Sequence, residues 1–231
     1  MHKMKILKAL DIGCGYGYFT NYLSGKYAET YGLDMNKKFL KFAKKKFHTP
    51  KFVEGFAENL PFKDNYFDAI YCHDILEHVI DLNKVLKEIK RVAKKNCVLD
   101  IIIPHWKSEK FLTNIRKTYP EEIGHLRIFK RYELEKKLEK NGFIIKKSSY
   151  EQFIKNIELA IILSRGPINS QFGENTFGNS KLWVAFFHLF MKDLFRTPLK
   201  YFFPIWLITL PLGIVLSKIF PKSVNIVAIR K

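Results

Sequence analysis

The stretch Gly13-Cys14-Gly15-Tyr16-Gly17 follows directly on the apolar run Ile6 to Ile12, and this junction constrains the fold more than any other part of the chain. A buried strand that breaks into alternating glycines can turn sharply and let a ligand approach its backbone. It also opens a helix whose first N–H groups are unpaired, a setting that favours carboxylates and phosphates. Alone, a glycine loop is a weak signal. Asp34 strengthens it, because it ends the second apolar run, Ala28 to Leu33. An acidic residue about 20 residues beyond such a loop is placed to meet the ribose hydroxyls of an adenosine cofactor. The spacing here is G-x-G-x-G, and Tyr18 stands where the dinucleotide fingerprint G-x-G-x-x-G/A wants a small residue. Nicotinamide and flavin dinucleotides are set aside on that ground. A P-loop is set aside too, since no Gly-Lys-Ser/Thr follows the glycines.

Beyond the loop, a helix to about Ser24 is ended by Gly25. Asn36 is placed to cap the next helix. In it Phe39, Leu40, Phe42, Ala43 and Phe47 are expected to form the buried face, and Lys37, Lys38, Lys41, Lys44, Lys45 and Lys46 the solvated one. Lys51 to Val53 and Tyr66 to Cys72 read as strands three and four. Leu82, Val85, Leu86, Ile89 and Val92 recur at helical spacing behind Asp81, and Cys97 to Ile103 is a fifth strand, apolar but for Asp100. Tyr132 to Lys140 is an amphipathic helix stopped by Asn141-Gly142, Phe143 to Lys147 a sixth strand, and Val224 to Ile229 a last one. Strands alternating with helices predict an α/β fold, a largely parallel sheet covered on both faces. The composition changes after Tyr150. The division expected is a core over 1–150, an apolar insertion over 151–222 and a returning strand over 223–231.

The formal net charge is +18, and such a field attracts polyanions, phosphates and anionic headgroups among them. The lysines are nevertheless spread along the chain. Cys14, Cys72 and Cys97 form no CxxC pair and no metal-type spacing, which points to a reducing compartment. Met1 to Leu10 reaches Asp11 before any long apolar run develops, so the start of the chain lacks the h-region of a signal peptide. A cytoplasmic protein is expected.

Taken in order, Leu10 to Gly17, Gly32-Leu33-Asp34, Gly55-Phe56-Ala57-Glu58-Asn59-Leu60-Pro61-Phe62, Phe67-Asp68-Ala69-Ile70, Leu76-Glu77-His78-Val79 and His125-Leu126-Arg127-Ile128-Phe129 resemble the class I S-adenosylmethionine-dependent methyltransferases. The likeness is closest to the subgroup called methyltransferase type 11, the ubiquinone and menaquinone methyltransferase kind, and covers roughly residues 5–150. The resemblance implies a Rossmann-like seven-stranded sheet in the order 3-2-1-4-5-7-6, the last strand antiparallel, with the apolar insertion between strands six and seven. It implies S-adenosylmethionine as cofactor, with Asp11, Gly13, Cys14, Gly15 and Gly17 around the methionine part and His73 near it. Asp34 is expected on the ribose, Met35 near the adenine, and Ala57 and Glu58 at the adenine edge. One position departs from the pattern. The family usually has an acidic residue before Ala57, able to accept the adenine amino proton, and Phe56 cannot do that.

Methyl transfer from a sulfonium needs chiefly a positioned nucleophile and excluded water. A base helps only where the acceptor must lose a proton. His73, His78, His105 and His125 fall at or near the carboxyl ends of predicted strands or in the loops there, where ligands bind in open α/β sheets, and the last three are the candidates for a catalytic role. Asp74, Glu77 and His78 resemble the group that some ubiquinone-type O-methyltransferases use to hold a divalent cation. We read them as a capping or salt-bridge group and expect no metal site. Nucleic-acid methylation is disfavoured: the segment after strand four reads His73-Asp74-Ile75-Leu76 rather than Asn/Asp-Pro-Pro-aromatic, and no Pro-Cys occurs.

Tyr201 to Ser217 runs 17 residues without a charge, flanked by Arg196 and Lys200 before and Lys218 and Lys222 after. Pro204, Pro211 and Gly213 argue against a straight helix. If Val224 to Ile229 rejoins the sheet, a single membrane crossing would leave it on the wrong side. The insertion therefore reads as a helical hairpin at an anionic membrane surface, or as a greasy lid. With strand one so near Met1, the helices that often roof this family's site are not expected, and the insertion is expected to supply the roof. The leading expectation is a methyltransferase for a small, lipophilic or lipid acceptor, peripheral on the inner face of the membrane. Two others stay open: a soluble small-molecule methyltransferase with a lid, and a non-catalytic cofactor-binding subunit that docks a membrane partner.

Overall fold

A computed structural model describes residues 7–130, 132–151 and 222–231. The chain divides into two compact units, one of residues 1–106, 126–149 and 223–231, the other of 107–125 and 150–222. The expectations for the insertion fall on residues outside those described.

In the first unit the order begins β1 (Lys8–Ile12), α1 (Tyr18–Ser24), β2 (Glu29–Asp34), α2 (Lys37–Lys46), β3 (Lys51–Glu54) and β4 (Phe67–His73). It continues α3 (Leu82–Val92), β5 (Ala93–Pro104), α6 (Glu133–Lys140), β6 (Phe143–Glu151) and β7 (Ser223–Arg230), with α4 (Trp106–Ile115) and α5 (Tyr119–Ile123) intervening after β5. The seven strands form one sheet in the order β3-β2-β1-β4-β5-β7-β6. Pairing is parallel from β3 through β5, and β7 runs antiparallel to β5 from Val98↔Ile229 to Pro104↔Ser223. The expected sheet is therefore present, strand for strand.

Central strands are apolar because both faces are covered. In β1, Ala9, Leu10 and Ile12 are buried, as are Ile70 and Cys72 in β4 and Leu99 and Ile101 in β5. On α3 the helical repeat Leu82, Val85, Leu86, Ile89 and Val92 is buried throughout. Asn36 caps α2, its side chain accepting from the N–H groups of Lys38 and Phe39, and Asp81 caps α3 through Lys84. Gly17 starts α1 at φ +78, and a side chain there would lie 2.6 Å from the Phe52 ring, so both conformation and space demand glycine.

Three details differ from the sequence reading. On α2 only Leu40 and Ala43 are buried, while Phe42 is 39% exposed. Phe42 lies two positions from Leu40, about 200° around the helix, and so faces away from the sheet. β5 begins at Ala93 rather than Cys97, because that residue ends α3 in an extended conformation and leads straight into the strand. Helices α4 and α5 have no counterpart in the periodicity reading; both are short, and α5 carries Pro120 in its first turn.

The described part of the second unit is built on α4 and α5. Glu109 is buried there, its Oε2 2.7 Å from His125 Nδ1, and the Tyr119 ring stands edge-on to His125. Among the described residues no helix is long and apolar enough to cross a membrane.

Candidate functional site

The glycine loop is tied to the end of β2. Gly13 and Cys14 donate their N–H groups to Leu33 O at 2.8 and 3.0 Å. Asp34 goes further: Oδ2 accepts from Gly15 N and Oδ1 from Asn36 N, each at 2.8 Å. One carboxylate thus fixes both the loop and the turn into α2, and each of its oxygens keeps a second lone pair for a ligand hydroxyl. Gly15, at φ +51, has no atom within 4 Å of where a side chain would begin, which leaves its backbone open to an approaching group.

Beside this loop lies a cavity of about 730 Å³, with Gly13, Asp34, Met35, Phe56, Ala57, Glu58 and Asn59 on its walls together with Ile75 and the 78–81 turn. That is a volume proper to a nucleoside-sized ligand. Its walls are pinned by groups that periodicity did not single out. Arg91 on α3 donates to Leu60 O at 2.9 Å and Phe62 O at 2.7 Å while paired with Glu88 and Asp64, so the loop after β3 is held by a guanidinium fork. Arg127 donates to Leu76 O at 3.0 Å and Ile80 O at 2.9 Å, and Leu126 N to Glu77 O at 2.9 Å, which fixes the turn after β4. Glu58 Oε1 accepts from Ile80 N at 3.0 Å and joins the two walls. The sequence signal for Arg127 was its place in the His125-Leu126-Arg127 motif; Arg91 offered none beyond its position on α3.

The cavity brings together Gly13, Asp34, Met35, Ala57, Glu58 and His78 of the expected site residues. Phe56 is on its wall and 58% exposed, so it is no core residue. Asp11 is 3% exposed and accepts from Thr20 Oγ1 at 2.6 Å, which clamps α1 to β1; burial pushes its carboxyl up to about 6. The Cys14 thiol is buried beside the loop and pushed well up by that burial. His73 pairs through Nε2 with Asp100 Oδ1 at 3.0 Å, and its ring packs 4.7 Å from Phe19. His105 is buried at the end of β5 against Trp106. His125 belongs to the second unit, held by Glu109. Asp74 is exposed and Glu77 buried.

A seven-stranded sheet with β7 inserted antiparallel, a glycine loop after β1 and a carboxylate after β2 define a Rossmann-like methyltransferase fold. Residues 10–100 match the methyltransferase domain family of type 11, so the resemblance read from the motifs is borne out there, and this segment carries a methyltransferase domain. S-adenosylmethionine is the cofactor that such a domain takes. The chain is 33% identical over 126 residues to a demethylmenaquinone methyltransferase from Thermotoga maritima, covering 52% of this chain and 55% of that one. It is 40% identical over 102 residues to the protein of the same name from Anoxybacillus flavithermus, covering 41% and 43%. The chain thus spans about half the length of the curated relatives it matches. Among solved structures, the YcgJ protein from Bacillus subtilis superposes with a TM-score of 0.55 at 23% identity, over 68% of this chain and 73% of that one, a likeness of fold.

Proposed function

We propose that the protein is an S-adenosylmethionine-dependent methyltransferase acting on a small lipophilic acceptor, peripheral on the inner face of the membrane. The single observation that carries the cofactor is Asp34, a carboxylate held by Gly15 N and Asn36 N at the rim of a nucleoside-sized cavity. When bound, the cofactor supplies a methyl group already activated on a sulfonium. The residues do the holding. Asp34 takes the ribose hydroxyls, Met35 and Phe56 flank the adenine, and Ala57 and Glu58 border its edge. The open backbone at Gly15, with Gly13 and Gly17 shaping the loop, meets the methionine part. Asp11 and Cys14 keep that loop in place from beneath, and His73, steadied by Asp100, stands at the end of β4.

The lipophilic acceptor is supported by the two relatives named demethylmenaquinone methyltransferase, since demethylmenaquinone is a quinone with an apolar tail. His78 on the cavity wall, His105 and His125 are the groups we propose to test as proton acceptors. Residues 151–222, with 17 uncharged residues from Tyr201 to Ser217, are proposed to serve the apolar acceptor or the membrane surface.

Calorimetric titration with S-adenosylmethionine and S-adenosylhomocysteine tests this first. Micromolar binding is expected, weakened at least tenfold in Asp34→Ala, since that change leaves two N–H groups without their acceptor as well as removing the ribose contact. Folded wild-type protein that binds neither compound would sink the reading. Bound cofactor without turnover on any demethylated quinone would leave the non-catalytic alternative standing.

A further inference from the structure

Between Asp34 and Glu54 the chain carries seven lysines and no acidic residue. The structure sets six of them on α2, beside an aromatic cluster distinct from the cavity. Tyr16 packs on Phe39 and Phe42 with ring centroids 4.5 and 5.2 Å apart, and Tyr18 on Phe42 and Phe47 at 6.2 and 5.4 Å. Rings belong in a core, yet Tyr18 is 51%, Tyr22 57% and Phe42 39% exposed. On the helix surface Phe42 has Lys38, Lys45 and Lys46 as its neighbours four residues before and three and four after. Lys46 donates to the Tyr18 hydroxyl at 2.7 Å and lies 4.4 Å from that ring's centroid and 5.3 Å from that of Phe42. Lys37 meets Glu54 at 3.4 Å on the surface; among the described residues no salt bridge holds Lys38, Lys41, Lys44, Lys45 or Lys46.

A solvated helix face would explain lysines, and the helix dipole would favour them in the last turn. Neither explains exposed rings set among charges of one sign. That pairing, apolar rings with a polar edge beside lysines, is what the interface of an anionic bilayer accommodates. We infer that α2 and the Tyr18–Tyr22 side of α1 form the face by which this protein docks on an anionic lipid surface. Phe42, Tyr18 and Tyr22 enter the headgroup layer, and Lys38, Lys41, Lys44 and Lys45 meet lipid phosphates. Nucleic acid fits less well: α1 and α2 carry no arginine for bidentate phosphate or base contact, and Lys46 covers the ring faces on which bases would stack. The inference rests on the membrane-surface reading above and names the surface for it. Met35, on the cavity wall, lies two residues before α2, so docking here holds the cofactor cavity close to the bilayer.

The test is co-sedimentation of the full chain with vesicles of equimolar phosphatidylglycerol and phosphatidylcholine, and with phosphatidylcholine alone. Wild type is expected on the anionic vesicles only. Each lysine near such a surface contributes roughly fivefold, so Lys41→Gln/Lys44→Gln/Lys45→Gln should lower partitioning about 100-fold. Phe42→Ser should lower it several-fold, and the triple change to arginine should keep it. Melting and S-adenosylhomocysteine binding should be unaltered in all of them. A glutamine variant that binds vesicles as wild type does overturns this face and leaves the membrane reading intact. Wild type that ignores anionic vesicles overturns both. Single-stranded RNA held more tightly than vesicles, with the same dependence on the lysines, overturns the lipid in favour of nucleic acid.

Discussion

At the scale of single residues, Phe56 and Asp11 make opposed demands on the site. Phe56 stands where the family resemblance leads one to expect an acid, and Glu58 nearby already accepts from Ile80 N. A carboxylate at position 56 would add a charge-assisted acceptor for the adenine amino group. Phe56→Asp is therefore expected to tighten S-adenosylhomocysteine binding about tenfold, and to leave the inosine analogue unimproved, by calorimetry. Asp11 is the reverse case, an acid that the fold buries. Its carboxyl is raised to about 6 in the folded protein against 3.8 unfolded, chiefly by burial. Between those values the native state binds the extra proton, so this group's contribution to stability is full below 3.8 and is lost as pH rises to about 6. Asp11→Asn keeps a partner for Thr20 and removes the charge. Its melting temperature, relative to wild type, should improve as pH is raised from 4 to 7; an unchanged difference would refute the burial argument. The sequence placed Asp11 in the first strand beside the expected methionine site but did not show its clamp on Thr20, because that contact depends on how α1 folds back over β1.

At the scale of elements, strand content was legible because buried parallel strands read as continuous apolar runs. Asn36, Asp81 and Gly25 marked helix ends through local chemistry alone. What the pattern could not show were contacts reaching across the chain. Arg91 is three residues from Glu88 but about thirty from the carbonyls of Leu60 and Phe62 that it holds. Arg91→Lys should loosen that loop, since an ammonium cannot serve two carbonyls and two acids in the plane of a guanidinium. We expect a loss of about 1–3 kcal/mol in denaturant unfolding, with weaker cofactor binding. A variant that melts and binds as wild type would show the fork to be dispensable. Phe42 went astray for a simpler reason: an apolar residue was assumed to be a buried one, and only the helix's orientation on the sheet decides that.

For the molecule as a whole, all seven strands described in the sheet come from 7–151 and 222–231. Removing 152–221 and joining β6 to β7 by a short turn is expected to preserve the melting transition and S-adenosylhomocysteine binding, while methyl transfer to lipophilic quinones falls sharply. Lost folding would show that the segment completes the core instead. The order in which the strands arrive also has a consequence for how the protein is made. β7 lies between β5 and β6, yet it leaves the ribosome only after some seventy further residues have followed β6. At roughly 5–20 residues per second that is an interval of about 4–14 s. Through it the edge of β5 stands open, with nothing yet synthesised to occupy the gap, so the nascent chain is most prone to aggregate there and most in need of a chaperone.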